Sequence, residues 1–167
     1  SLGKLEEAIE AYTKSLSINP NNADTYNNIG VVFRVQGKLE KAIEAFKKAI
    51  IIKPDYAEAY NNIGVVFKIQ GKLEKTVEAF NKAISIKPDY PDAYNNMGNA
   101  LADQGKLEEA IGAYDKVISL NPRSSEAYSN MGNALKKQGK LDEAIEAYDK
   151  VISLNPDNGT AKHILSA

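Results

Sequence analysis

The chain repeats itself every 34 residues. Pro20, Pro54, Pro88, Pro122 and Pro156 keep that interval, and so do Gly30, Gly64, Gly98 and Gly132 and a second set, Gly37, Gly71, Gly105 and Gly139. A unit of this length is too small to bury its own apolar face, so a fixed period of this kind means stacked units, each covering its neighbour. Four full units run 23–56, 57–90, 91–124 and 125–158. Residues 1–22 read as the second helix of a truncated unit, and residues 159–167 as the start of a further or capping helix.

Within a unit the apolar spacing is helical twice. In 57–90, Tyr60, Ile63, Gly64 and Phe67 fall at i, i+3, i+4 and i+7, one stripe of a helix. Gln70-Gly71-Lys72 interrupts it, glycine being the common residue just past a helix end. Leu73, Val77, Phe80, Ala83, Ile84 and Ile86 form a second stripe, which Pro88 closes because proline cannot continue a helix. The spacing predicts an all-α chain in which each unit is a helical hairpin, with Gly30 and Ala42 permitting close approach where the first hairpin's helices cross.

These residues resemble the tetratricopeptide repeat, whose signature is a 34-residue period carrying W-x2-L-G-x2-Y, then A-x3-F, then P. The first full unit has Tyr26-x2-Ile29-Gly30-x2-Phe33, Ala42-x3-Phe46 and Pro54; the last has Tyr128-x2-Met131-Gly132-x2-Leu135, Ala144-x3-Tyr148 and Pro156. Tyr replaces Trp throughout, and Thr76 stands where a small Ala is usual, which is expected to loosen one contact within a hairpin. The resemblance implies a right-handed superhelical solenoid of antiparallel helix pairs, with the first helix of each pair lining a concave, ligand-binding groove.

Charge and composition exclude several classes of function. A net charge of −1 and a pI near 5.9 offer no basic footprint for nucleic acid or an anionic membrane. No apolar run reaches the roughly 18 residues of a membrane span, and there is no cysteine for a disulfide or thiolate. GVVFKIQGK at 64–72 is not a phosphate loop: its spacing is wrong, Leu73 replaces the required Ser or Thr, and no strand precedes it. The lone histidine, His163, reads as a surface residue, and the Asn158-Gly159-Thr160 sequon matters only in a secretory setting. With no nucleophile–base set and no metal spacing, the sequence is read as a non-enzyme without a cofactor.

Counting residues 23, 57, 91 and 125 as position one, positions 4, 7, 8 and 11 of the first helix cluster toward the core and positions 2, 6, 9 and 13 face away. The outward stripes are Asp24-Asn28-Val31-Val35, Glu58-Asn62-Val65-Ile69, Asp92-Asn96-Asn99-Asp103 and Glu126-Asn130-Asn133-Lys137. Exposed Val and Ile mark an interaction surface, or else are partly covered by a neighbouring first helix. The second helix, with Glu74, Lys75, Glu78, Asn81 and Lys82, reads as an ordinary solvated face.

A side-chain amide matches the needs of a peptide group. First helices about 10 Å apart and an extended chain rising about 3.3 Å per residue would let one asparagine per unit grip every third peptide group. Asn28, Asn62, Asn96 and Asn130 occur in all four units, whereas Asn27, Asn61 and Asn95 give way to Ser129 and rank second. YSNMGN at 128–133 is similar to the repeats of O-GlcNAc transferase, whose asparagines at the sixth position hold a substrate backbone. The resemblance extends that role to Asn28, Asn62, Asn96 and Asn130; the rival role is bonding between adjacent repeats.

Val31, Val65 and Ile69, with Asn99 and Asn133, complete the candidate peptide site, and position twelve adds Arg34 and Lys68. A clamp for a C-terminal carboxylate is not expected, since position two is always acidic (Asp24, Glu58, Asp92, Glu126). Three functions remain open: a module binding an extended peptide or protein segment, the substrate-recognition arm of a larger enzyme such as an O-GlcNAc transferase-like glycosyltransferase, and a self-assembling scaffold. Both ends look unfinished, so the natural protein is expected to continue in at least one direction and end-to-end self-association is expected, with Ile164 and Leu165 covering part of the last hairpin.

Overall fold

The computed structural model describes residues 2–155, which form helices joined by short turns, with no strand among the described residues. They fall into two compact units, Ser1–Pro88 and Asp89–Ala167. Unit 1 holds α1 (Leu2–Ile18), α2 (Ala23–Val35), α3 (Leu39–Ile52), α4 (Ala57–Ile69) and α5 (Leu73–Ile86). Unit 2 holds α6 (Pro91–Asp103), α7 (Leu107–Leu120), α8 (Ser125–Lys137) and α9 (Leu141–Leu154). Pro156, the sequon, His163, Ile164 and Leu165 lie outside the described residues.

Consecutive helices pack as pairs: α2 on α3 and α4 on α5 in unit 1, α6 on α7 and α8 on α9 in unit 2. Inside each unit a second helix also packs on the next first helix, α3 on α4 and α7 on α8, and the first helices touch, α2 with α4 and α6 with α8.

The turn inside each pair is set by glycine. Gly37, Gly71, Gly105 and Gly139 have φ between 70° and 80°, the left-handed region that side chains resist. At the first of these turns the N–H of Gly37 donates to Arg34 O at 3.0 Å and that of Lys38 to Phe33 O at 2.9 Å. This pairing satisfies carbonyls the helix end would otherwise leave open. The same two bonds recur at Gly71, Gly105 and Gly139.

The other glycine of each unit is a contact surface. A Cβ on Gly64 would stand 2.7 Å from Phe80 Cε1, and one on Gly98 2.5 Å from Tyr114 Cε1; Gly30 and Gly132 meet Phe46 and Tyr148 in the same way. The ring on the second helix of each full repeat therefore rests against the bare backbone of its partner. Phe46 and Phe80 are fully buried. Thr76 is also fully buried, and its Oγ1 donates to Lys72 O at 2.9 Å, so its hydroxyl is paired within its own helix.

The buried side of the first helix is broader than the periodicity indicates. In α4, Ile63 and Gly64 at positions 7 and 8 are interior as expected, but the half-buried Tyr60 and Phe67 at positions 4 and 11 are less enclosed than Ala59 and Val66 at positions 3 and 10. The reason is that α4 packs against both α3 and α5 and also touches α2, so helices surround it on more than one side.

Candidate functional site

Adjacent asparagines on the first helices of unit 1 have different surroundings. Asn27 and Asn61, at the fifth position, are 8% and 7% exposed. Asn28 is exposed, while Asn62, Asn96 and Asn130 are half-buried. Asn62 Nδ2 donates to Asn27 Oδ1 at 3.0 Å, and Asn130 Nδ2 donates to Asn95 Oδ1 at 3.0 Å. Each bond spans 35 residues and ties a sixth-position amide to the fifth-position amide of the repeat before it. The bonding role between repeats is therefore present, with a buried fifth-position partner in Asn27 and a half-buried one in Asn95. Their signal in the sequence was the recurrence of polar amides beside an apolar stripe.

The acidic second position is engaged as well. Asn95 Nδ2 also donates to Glu126 Oε1 at 2.7 Å, and Glu58 Oε1 lies 3.4 Å from Lys87 Nζ.

The ninth position divides by repeat. Val31 is half-buried against a cluster containing Phe46, Ile63 and Val66, and Val65 is half-buried too. Asn99 and Asn133 instead accept hydrogen bonds from the Tyr114 and Tyr148 hydroxyls, both at 2.8 Å. In the third and fourth full repeats the ninth residue thus meets the hydroxyl of the ring that rests on its own repeat's glycine, whereas in the first it packs in the apolar cluster that contains Phe46. Sequence reasoning missed this coupling, although both columns change together between the second and third full repeats. Val35 and Ile69 are 61% and 58% exposed, and Arg34 and Lys68 are half-buried beside them in sequence.

Burial pushes the Tyr114 hydroxyl up to about 12, with the carboxylates of Asp103 and Glu126 adding to the rise. Burial also raises Tyr148. The native state holds the Tyr114 proton more tightly than the unfolded chain, whose value is near 10.0. Stability from this group is therefore complete below pH 10 and is lost as the pH climbs toward 12. Urea midpoints followed by circular dichroism are expected to fall across that window, and to fall less for Tyr114→Phe; equal slopes for both proteins would contradict this.

Among the described residues no three His, Cys, Asp or Glu side chains gather as a metal site, and no helix is long and apolar enough to cross a membrane. Within each unit the first helices offer two sixth-position amides, one of them tied sideways to the repeat before it, and in unit 1 the exposed Val35 and Ile69 stand on the same helices.

A family model described as the tetratricopeptide repeat matches residues 125–158, and a TPR repeat model matches 1–34, 32–71, 66–105 and 98–139. Curated protein sequences give no match. Among solved structures, MamA is similar with a TM-score of 0.84 and 31% identity, covering 95% of this chain and 92% of that one. PilF of Pseudomonas aeruginosa has a TM-score of 0.85 at 24% identity, covering 95% of this chain and 72% of that chain. A thermophilic TPR protein of Thermus thermophilus has a TM-score of 0.76 at 19% identity, covering 99% of this chain and 90% of that chain.

Proposed function

Because the chain belongs to the tetratricopeptide repeat family, we propose that it is a protein-interaction module that holds an extended peptide or protein segment on the groove face built by the first helix of each repeat. The observation that carries this reading is the sideways bond between asparagines. In Asn62 and Asn130 one N–H is committed to the preceding repeat. A side-chain amide has a second N–H and a carbonyl oxygen to offer, the complement of a peptide group. The fifth-position partner, buried Asn27 for Asn62 and half-buried Asn95 for Asn130, holds that amide in one orientation before any ligand arrives, which lowers the ordering cost of binding. The similarity of 128–133 to the repeats of O-GlcNAc transferase supports the same use of Asn28, Asn62, Asn96 and Asn130.

Backbone grip alone is weak. Four net hydrogen bonds at about 0.5–1.5 kcal/mol each sum to about 2–6 kcal/mol, which even before ordering costs is an affinity no better than about tens of micromolar. Selectivity then comes in unit 1 from side chains seated against the exposed Ile69 and the half-buried Val31 and Val65, with Arg34 and Lys68 on the same helices, and in unit 2 from Asn99 and Asn133.

The test starts from a peptide selected from a random library on the full chain. N-methylation of its peptide groups, one at a time, removes a backbone donor and leaves the side chains. Binding is expected to drop about fivefold to tenfold at every third position and little between. Insensitivity to N-methylation throughout would sink the reading.

A further inference from the structure

The second-helix face of unit 1 carries a cleft of ≈ 830 Å³ that the repeat pattern offers no reason to expect. It lies between α3 and α5, and α4 forms its floor with Tyr60, Ile63 and Phe67; Ile50 and Ala79 add to the apolar lining. Its rim bears Lys47, Lys75 and Lys82 against one acid, Glu78. Lys75 Nζ stands 5.9 Å from the centre of the Phe67 ring, holding a cation over the mouth. A concave apolar site of a few hundred Å³ with a few charged groups at its edge is the usual form of a binding site.

Unit 2 provides an internal comparison 68 residues further on. The floor residues have apolar counterparts in Tyr128, Met131, Leu135, Ile118 and Ala147. The charges do not follow. Asp115 replaces Lys47, Glu143 replaces Lys75 and Asp149 replaces Asn81, while Glu146 and Lys150 match Glu78 and Lys82. Two of the three rim lysines thus become acids in unit 2 while the lining stays apolar.

We propose that the cleft between α3 and α5 is a second docking site, for an acidic segment of a partner protein that presents a leucine-sized side chain flanked by carboxylates. The apolar side chain covers Tyr60, Ile63 and Phe67, and the carboxylates meet Lys47, Lys75 and Lys82. The site is separate from the asparagine face: none of the sixth-position asparagines lines it.

Anisotropy of a short fluorescein-labelled peptide, with two leucines one helical turn apart among glutamates, tests this on the full chain at low salt. Its counterpart has glutamine for every glutamate. The glutamate peptide is expected to bind about tenfold tighter, and to weaken as salt is added. Lys47→Glu, Lys75→Glu and Lys82→Glu together should lose at least about tenfold with the helical spectrum unchanged. The milder Lys47→Gln, Lys75→Gln and Lys82→Gln set should give a smaller loss, which keeps the test sound if the reversed variant misfolds. Changing Asn28, Asn62, Asn96 and Asn130 to alanine should leave this binding as it was.

Equal affinity for the two peptides overturns the proposal, and so does undiminished binding by the lysine variants. Loss of binding in the asparagine variant would place the probe on the other face and also overturn it. So would a native chain that ignores both peptides yet sediments as a dimer that the lysine variants do not form, because the occupant would then be a second copy.

Discussion

Phe80→Ala is expected to destabilise unit 1 by about 3–5 kcal/mol, the range for emptying the space of a fully buried ring. The ring rests against Gly64, where an added Cβ would stand 2.7 Å from Cε1, inside any normal contact. Gly64→Ala alone is therefore expected to cost about 1–3 kcal/mol from overpacking, offset by up to about 1 kcal/mol of helix preference. Once Phe80 is alanine, the space at Gly64 is open, and the same Gly64→Ala change should be neutral or stabilising. Repeat arrays do not always unfold in one step. Urea midpoints by circular dichroism should therefore be read beside hydrogen exchange at amides of α4 and α5. Strict additivity of the two changes would show that the ring–glycine contact does not set the distance between the helices.

Changing Asn28, Asn62, Asn96 and Asn130 together to alanine should abolish or nearly abolish binding of the library-selected peptide whose backbone the groove face holds. The loss of four rungs is about 2–6 kcal/mol, at least roughly thirtyfold in affinity. The same variant should also be less stable, because Asn27 Oδ1 is buried and loses its donor when Asn62 goes. An orphaned buried acceptor costs about 1–3 kcal/mol. Asn95 is half-buried and still donates to Glu126, so its share is smaller.

Two controls separate stability from recognition. Asn28→Ala changes an exposed residue and should weaken binding with little change in melting temperature. Adding Asn27→Ala and Asn95→Ala to the fourfold variant removes both members of each pair, and should restore part of the lost stability without restoring binding. A fourfold variant that melts early but binds normally at low temperature would leave the asparagines as repeat-to-repeat ties alone.

The lysine cleft shows where pattern reading stops. Lys75, Glu78, Asn81 and Lys82 are spaced as a solvated helix face, and on their own helix that reading is right. The cleft exists because α3 and α5 both pack on α4, an arrangement no single helix encodes. The coupling of Asn99 with Tyr114 is a different kind of omission. Its two columns stand 15 residues apart and change together, but the meaning of the change depends on which ring edge reaches which side chain.

What this sequence determined by itself was local and periodic. The interval between prolines and glycines dictates one helix pair per unit, because a left-handed glycine and a following proline end helices through backbone geometry alone. Only the tertiary structure decided that of two neighbouring asparagines on α2 and on α4 the first, Asn27 and Asn61, is interior. Fifth and sixth positions lie about 100° apart on a helix, and the helical period of apolar residues assigns neither to the core. The preceding repeat does: its fifth-position amide receives the following repeat's sixth, and that contact joins residues 35 apart in the chain.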